Sequence, residues 1–408
     1  MIALRTWWRV LPVALVLGCG GARTSVPPDL AEERGDLGGA VQAYRERFEA
    51  TGATDPDLAA KVGQLSLRRG DLAEAETWLG LAERLRPDDP AVSAAIARAA
   101  FLGGDYARAS ERLRPLVTRF PDNADYHAEL ARVAFARHDD AEAAAEADLA
   151  LQHASTPDAT LYTLLGQAQA RLGRVELAEA AFDRAVEVAP DDAAPSYYLG
   201  RLYDGIGLPA RAVEMYERAL RLSPGFVDAS RDLGTLLLTE GDVERAILVL
   251  EGAAALAPDD AGLLNNLAVA QRQAGRLADA RASLEKALVV GGDSRAIAVN
   301  LADTCVSQGD FARAQAVLVD ANRRNVTRRD DVLELEKILV ARAYHDVFCA
   351  RSGAFDHAAF RARLAVLRRD AGLDEAEQPG AVLPAVLADE SLKHLLDEAN
   401  QRCLATPK

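Results

Sequence analysis

The chain has 408 residues, half of them apolar and ample for a continuous core, and its 62 acidic side chains against 47 basic ones leave a formal net charge of −15 at neutral pH. That excess of acid, with no Lys/Arg tract and no RNA-stacking motif, argues against nucleic acid and against peripheral binding to anionic lipid. Basic residues are nearly all Arg, the only Lys being Lys61, Lys286, Lys337, Lys393 and Lys408, which with abundant Ala is the mark expected of a GC-rich genome rather than of a function.

Residues 1–18 read as an export signal. Arg5 and Arg9 flank two Trp, and Val10 to Leu17 is an apolar stretch too short to span a bilayer. The following Val16-Leu17-Gly18-Cys19 resembles the lipobox of bacterial lipoproteins, with Val16 where that family most often has Leu. The resemblance implies cleavage before Cys19, a diacyl lipid on its thiol and a membrane anchor that needs no transmembrane helix. An ordinary signal peptide with a coincidental Cys is the alternative. Loss of residues 1–18 would remove two Arg and no acid, taking the net charge from −15 to −17. Gly20 after the Cys, where Asp would mark inner-membrane retention in enterobacteria, favours the outer membrane by analogy, with the protein facing the periplasm. Residues 19–28 form a tether that ends in the stiff Val26-Pro27-Pro28. Its maximal reach of roughly 35 Å keeps whatever follows close to the membrane.

From residue 29 the pattern is helical. Leu37, Ala40, Val41, Tyr44 and Phe48 share one helix face, and Gly35-Asp36 precedes Gly70-Asp71 by 35 residues, so 29–55 reads as a degenerate half-repeat capping the next element. Residues 56–328 then repeat about every 34 residues. With repeats starting at 56, 90, 124, 159, 193, 227, 261 and 295, position twenty is Ala in all eight: Ala75, Ala109, Ala143, Ala178, Ala212, Ala246, Ala280 and Ala314. Position seven is a large aliphatic residue such as Leu199, position eight is Gly or Ala, and position fifteen is Gly except for His138. Position thirty-two is Pro in five repeats and decays to Ser155, Gly292 and Val326. The apolar run before each Gly has helical spacing, the Gly stops that helix, and a second amphipathic helix runs on to the Pro. Each unit is therefore a helical hairpin, with small residues at positions eight and twenty where two helices approach and large ones at seven and twenty-four beside them.

On these positions the chain resembles the tetratricopeptide repeat family over residues 56–328. The resemblance implies an all-α fold: a right-handed superhelix, an α-solenoid of about eight hairpins, with a concave groove lined by first helices and with helical caps at both ends. Repeat three, with His138, Ala147 and Ser155, departs most and is where a local irregularity is expected.

Residues 329–408 read as a C-terminal helical cap, with helices to about Ala350, at about 355–371 and at about 389–403, and a loop around Pro379 and Pro384. In an oxidising periplasm Cys349 and Cys403, each at the end of an expected helix, are candidates for a disulfide, two free thiols being the rival, while Cys305 at repeat position eleven is an inward, buried thiol. Such a bridge would close a loop of about 55 residues, worth roughly 4 kcal/mol in the chain-entropy description. His345 and Cys349 stand one helical turn apart and could meet His357 or His394, but no compact ligand set completes them, so no metal and no cofactor is expected. No nucleophile elbow, phosphate loop, zinc-protease helix or dinucleotide fingerprint is present. Asn325-Val326-Thr327 is a chance sequon at a repeat junction.

In the family the first-helix positions two, five, nine, twelve and thirteen face the groove. Position nine carries Arg98, Arg132 and Arg201, which can form a cationic stripe for carboxylates or pair with acids on adjacent helices such as Glu129 or Asp232. Asn265, Asn266 and Asn300 lie at positions five and six, where the family often holds the backbone of an extended peptide, and Phe101 and Phe135 either floor the groove or pack. Together these features point to a non-catalytic scaffold on the outer membrane that binds envelope proteins through extended or acidic segments. By analogy it serves a type IV pilus, gliding-motility or polysaccharide-export machine. An adaptor for peptidoglycan hydrolases or proteases is the alternative, and an unrecognised activity in the C-terminal domain a third reading.

Overall fold

The computed structural model describes residues 32–291, 294–324, 329–348, 357–371 and 373. The lipobox with Cys19, the tether, both members of the Cys349–Cys403 pair and the third cap helix lie outside the described residues. Within them are 19 helices and no strand, and no helix is long and apolar enough to cross a membrane.

Every first helix of the eight repeats begins at repeat position one, from Pro56–Arg69 through Ala159–Arg171 to Arg295–Ser307, and every second helix begins at position seventeen, from Leu72–Leu85 to Phe311–Arg324. Capping explains six of the eight first-helix starts, those at Val227 and Arg295 having no side-chain cap. Asp55, Asp89, Asn123, Asp158, Asp192 and Asp260 each accept a hydrogen bond from a backbone N–H of the helix that follows, an arrangement worth about 1 kcal/mol apiece. The turn between helices is equally regular. The N–H at position sixteen donates to the carbonyl at position eleven in all eight repeats, at 2.8–2.9 Å, the bond of a Schellman ending. This needs a left-handed residue at position fifteen, where φ lies between 72° and 82° in the seven glycines and is 60° at His138.

Within a hairpin, all eight position-twenty alanines are fully buried. Position eight does more than allow backbone approach. A Cβ at Gly63, Gly166, Gly200 or Gly234 would sit 2.5–2.6 Å from the side chain of Leu79, Phe182, Tyr216 or Leu250 respectively, so the missing carbon is the seat of the large position-twenty-four residue. Repeat three has Ala131 and Ala147 at these places, and its second helix buries only Ala143, Ala144, Ala147 and Ala150. A buried polar group sits beside them: the His127 ring lies 2.6 Å by Nδ1 from Glu146 Oε2 and 2.9 Å by Nε2 from the Pro121 carbonyl.

The chain divides into two compact units between Thr156 and Pro157, at the end of repeat three. Unit one holds repeats one to three, preceded by helix Leu37–Ala50. That helix caps the first hairpin by packing Ala40, Val41 and Tyr44 on Val62 and Leu65, with Phe48 edge-on to Trp78 at 5.2 Å and Arg45 paired with Glu74 at 3.0 Å. Unit two holds repeats four to eight, then helices Arg329–Phe348 and His357–Asp370. Leu335, Ile338 and Leu339 join Leu364 and Leu367 in one apolar cluster with repeat eight. Inside that cap Glu336 pairs with Arg368 at 2.9 Å, and burial holds the Glu336 carboxyl above its ordinary range against the pull of Arg368.

Candidate functional site

Two recesses lie on the first helices, one in each unit. In unit one a recess of about 220 Å³ has Arg98, Glu129 and Arg132 at its rim and Phe101, Leu102 and Leu113 among its apolar walls. Helices Pro90–Leu102 and Ala124–Ala136 supply all but Leu113, which comes from the second helix Tyr106–Arg119. Phe101, tilted against Tyr106 at 5.5 Å, therefore both packs and forms part of the floor. In unit two a larger recess of about 470 Å³ is rimmed by Gln167, Arg171 and Arg201 and backed by Phe182, Tyr198 and Ile206.

The position-nine arginines do not stand as bare cations. Arg98 donates to Glu129, and Arg201 lies 3.8 Å from Asp232, which also accepts from the Tyr197 hydroxyl at 3.0 Å. Burial lifts the Asp232 carboxyl above its ordinary range, opposed by that hydroxyl and by Arg201. Burial together with the Asp232 charge pushes Tyr197 up to about 12. Both guanidinium groups stay open, at 58% side-chain exposure, so the pairs contribute little to stability and leave N–H donors facing outward.

The asparagines follow the same arrangement. Asn266 donates to Thr235 Oγ1 at 3.1 Å, and Asn300 donates to Asn265 Oδ1 at 2.7 Å. A spacing of 31 residues recurs in Arg98–Glu129, Arg201–Asp232, Thr235–Asn266 and Arg272–Asp303. In the first three, position six of one repeat reaches position nine of the repeat before it. Scanning the sequence for complementary residues 31 apart would have exposed this ladder, whereas reading each position down the array hides it. The structure thus brings Arg98 and Arg132 to one recess, places Arg201 on the other, and puts Asn265, Asn266 and Asn300 on repeats seven and eight.

Among the remaining candidates, His345 and Cys305 are packing residues. His345 lies against Phe311, ring centroids 4.9 Å apart. No group of three His, Cys, Asp or Glu among the described residues is placed to hold a metal ion. Cys305 is a buried free thiol whose pKa burial raises, which makes it a poor nucleophile.

Three family models described as tetratricopeptide repeat match residues 94–160 and 197–261, residues 157–224, and residues 237–298, together covering half of the chain. No curated protein matches the chain. Among solved structures it is similar to MamA from Desulfovibrio magneticus RS-1, at 25% identity over 42% of this chain and 100% of that one with a TM-score of 0.39. It is also similar to PilF of Pseudomonas aeruginosa, at 20% identity over 55% and 93% with a TM-score of 0.40. A third is the C-terminal part of a TPR repeat-containing protein from Cytophaga hutchinsonii, at 15% identity over 59% and 98% with a TM-score of 0.47.

Proposed function

The chain belongs to the tetratricopeptide repeat family, whose members bind protein partners, and from that premise we propose that it is a non-catalytic scaffold lipid-anchored to the outer membrane through Cys19. It faces the periplasm and gathers components of an envelope machine such as a pilus, motility or export apparatus. The observation that carries the interaction role is the ladder along the first helices, where positions six and nine of successive repeats pair Arg or Thr with Asp, Glu or Asn and leave the Arg98 and Arg201 guanidinium groups exposed beside recesses. Such a surface offers directional hydrogen bonds next to apolar sockets, which suits an extended protein segment. The anchor rests on Val16-Leu17-Gly18-Cys19 and the short tether after it.

Two experiments test this. Fatty-acid labelling in cells should mark the wild-type protein and leave Cys19→Ala unlabelled and out of the outer-membrane fraction; equal label in both would remove the anchor. Affinity capture from crosslinked envelope should then return secretin, motility or export components. Peptidoglycan hydrolases or proteases in their place would instead identify an adaptor for those enzymes.

A further inference from the structure

The recess of unit one carries more chemical information than its place on the groove. Its volume of about 220 Å³ is below the range of about 300–1,000 Å³ usual for small-molecule sites and matches one large side chain. Its floor is apolar, and Leu102 at the mouth is 52% exposed, so an apolar group can enter without displacing packed structure. At the rim, Glu129 is used only in part. One carboxylate oxygen, Oε1, accepts from Arg98, whereas Oε2 is buried and accepts no hydrogen bond. A buried acceptor without a donor is costly, and a ligand that brings one recovers the cost. Arg98 and Arg132 both lie on the same rim, so a cationic ligand group meets two guanidinium charges there. A neutral N–H meets no such opposition.

We infer that this recess is a socket for a single large aliphatic or aromatic side chain of an extended partner segment, whose adjacent backbone N–H donates to the Glu129 carboxylate as Oε2 turns from its buried position toward the mouth. The inference rests on the reading that the first-helix surface binds protein segments, and it adds what that segment must carry: one apolar anchor and one unsubstituted amide beside it. Glu129 becomes a specificity-determining residue, and Arg98 the group that fixes its orientation.

The test uses the full-length processed protein. Twelve-residue peptides are selected from a random display library, resynthesised and measured by fluorescence anisotropy against wild type, Leu102→Trp, which narrows the mouth, and Glu129→Gln, which keeps the shape but turns a donor toward the amide. Circular dichroism confirms that both variants are folded. The expected result is a selected consensus with one large apolar residue and at least tenfold weaker binding to each variant. Methylation of the amide beside that residue should weaken binding to wild type about tenfold and have no further effect on Glu129→Gln. Peptides that bind both variants as well as wild type, or that tolerate the methylation, overturn the socket. If those peptides are instead lost with Arg201→Glu or Asn300→Ala, the interaction surface stands without it. Selection of no peptide at all overturns both.

Discussion

Repeat five, residues 193–226, seats Tyr216 over Gly200 and turns on Gly207, whereas repeat three, residues 124–158, has Ala147 opposite Ala131 and turns on His138. Both keep the same helix starts and the same bond from position sixteen to position eleven. The hairpin is therefore set by two small residues at the helix crossing and one left-handed residue at the turn, while the mass of the core is free to vary. The consequence appears at the next level of structure. The apolar clusters of unit one reach Val133, those of unit two start from Ala170, and the division between units falls between Thr156 and Pro157. In a solenoid each repeat is stabilised by its neighbours, so a light repeat with a His–Glu pair in its interior is a natural place for the chain to divide.

Three sets of substitutions would break or sharpen this contrast. The largest effect belongs to Tyr216→Ala, which empties a fully buried seat opposite Gly200 and should cost about 3–5 kcal/mol. Ala147→Gly in repeat three should cost only about 1 kcal/mol. Denaturant unfolding that ranks them the other way would refute the idea that repeat five carries the heavier core. Next comes Gly200→Ala, whose new carbon would lie 2.6 Å from the Tyr216 ring, an overpacking of about 1–3 kcal/mol. Repeats two and seven pair Ala97 with Leu113 and Ala268 with Leu284 at these positions, so adding Tyr216→Leu should recover part of the loss. A strictly additive double mutant would show that the two positions are not one seat. The smallest effect is His138→Gly, which relieves a non-glycine φ of 60° and should stabilise unit one by about 0.5–1 kcal/mol. An unchanged or lower melting temperature would mean that the His138 side chain contributes more than its backbone costs.

The register was legible because eight copies repeat it, so a weak preference at any one position, such as Ala at position twenty, becomes decisive when read down the array. The helical hairpin, the close helix approach at positions eight and twenty and the helix stop at position fifteen followed from that register alone. The pairing of Arg98 with Glu129 was visible only as one of two options, since it depends on side-chain reach between adjacent first helices rather than on periodicity. The use of position eight as a seat for position twenty-four was not separable from simple backbone approach, because both require a small residue. The division after repeat three lay within its weakened positions, His138, Ala147 and Ser155, but how much weakening a solenoid tolerates depends on packing between neighbours.

The claim that recognition lies on the first helices is tested most directly by capture of envelope partners with Arg98→Glu combined with Arg132→Glu, beside Arg218→Glu on the second helix Pro209–Leu222. With the circular dichroism spectrum of wild type retained by both variants, the account predicts that the double variant loses its crosslinked partner while Arg218→Glu keeps it. Normal capture by the folded double variant would contradict it and move the binding surface toward Asn265, Asn266 and Asn300 or onto the C-terminal cap.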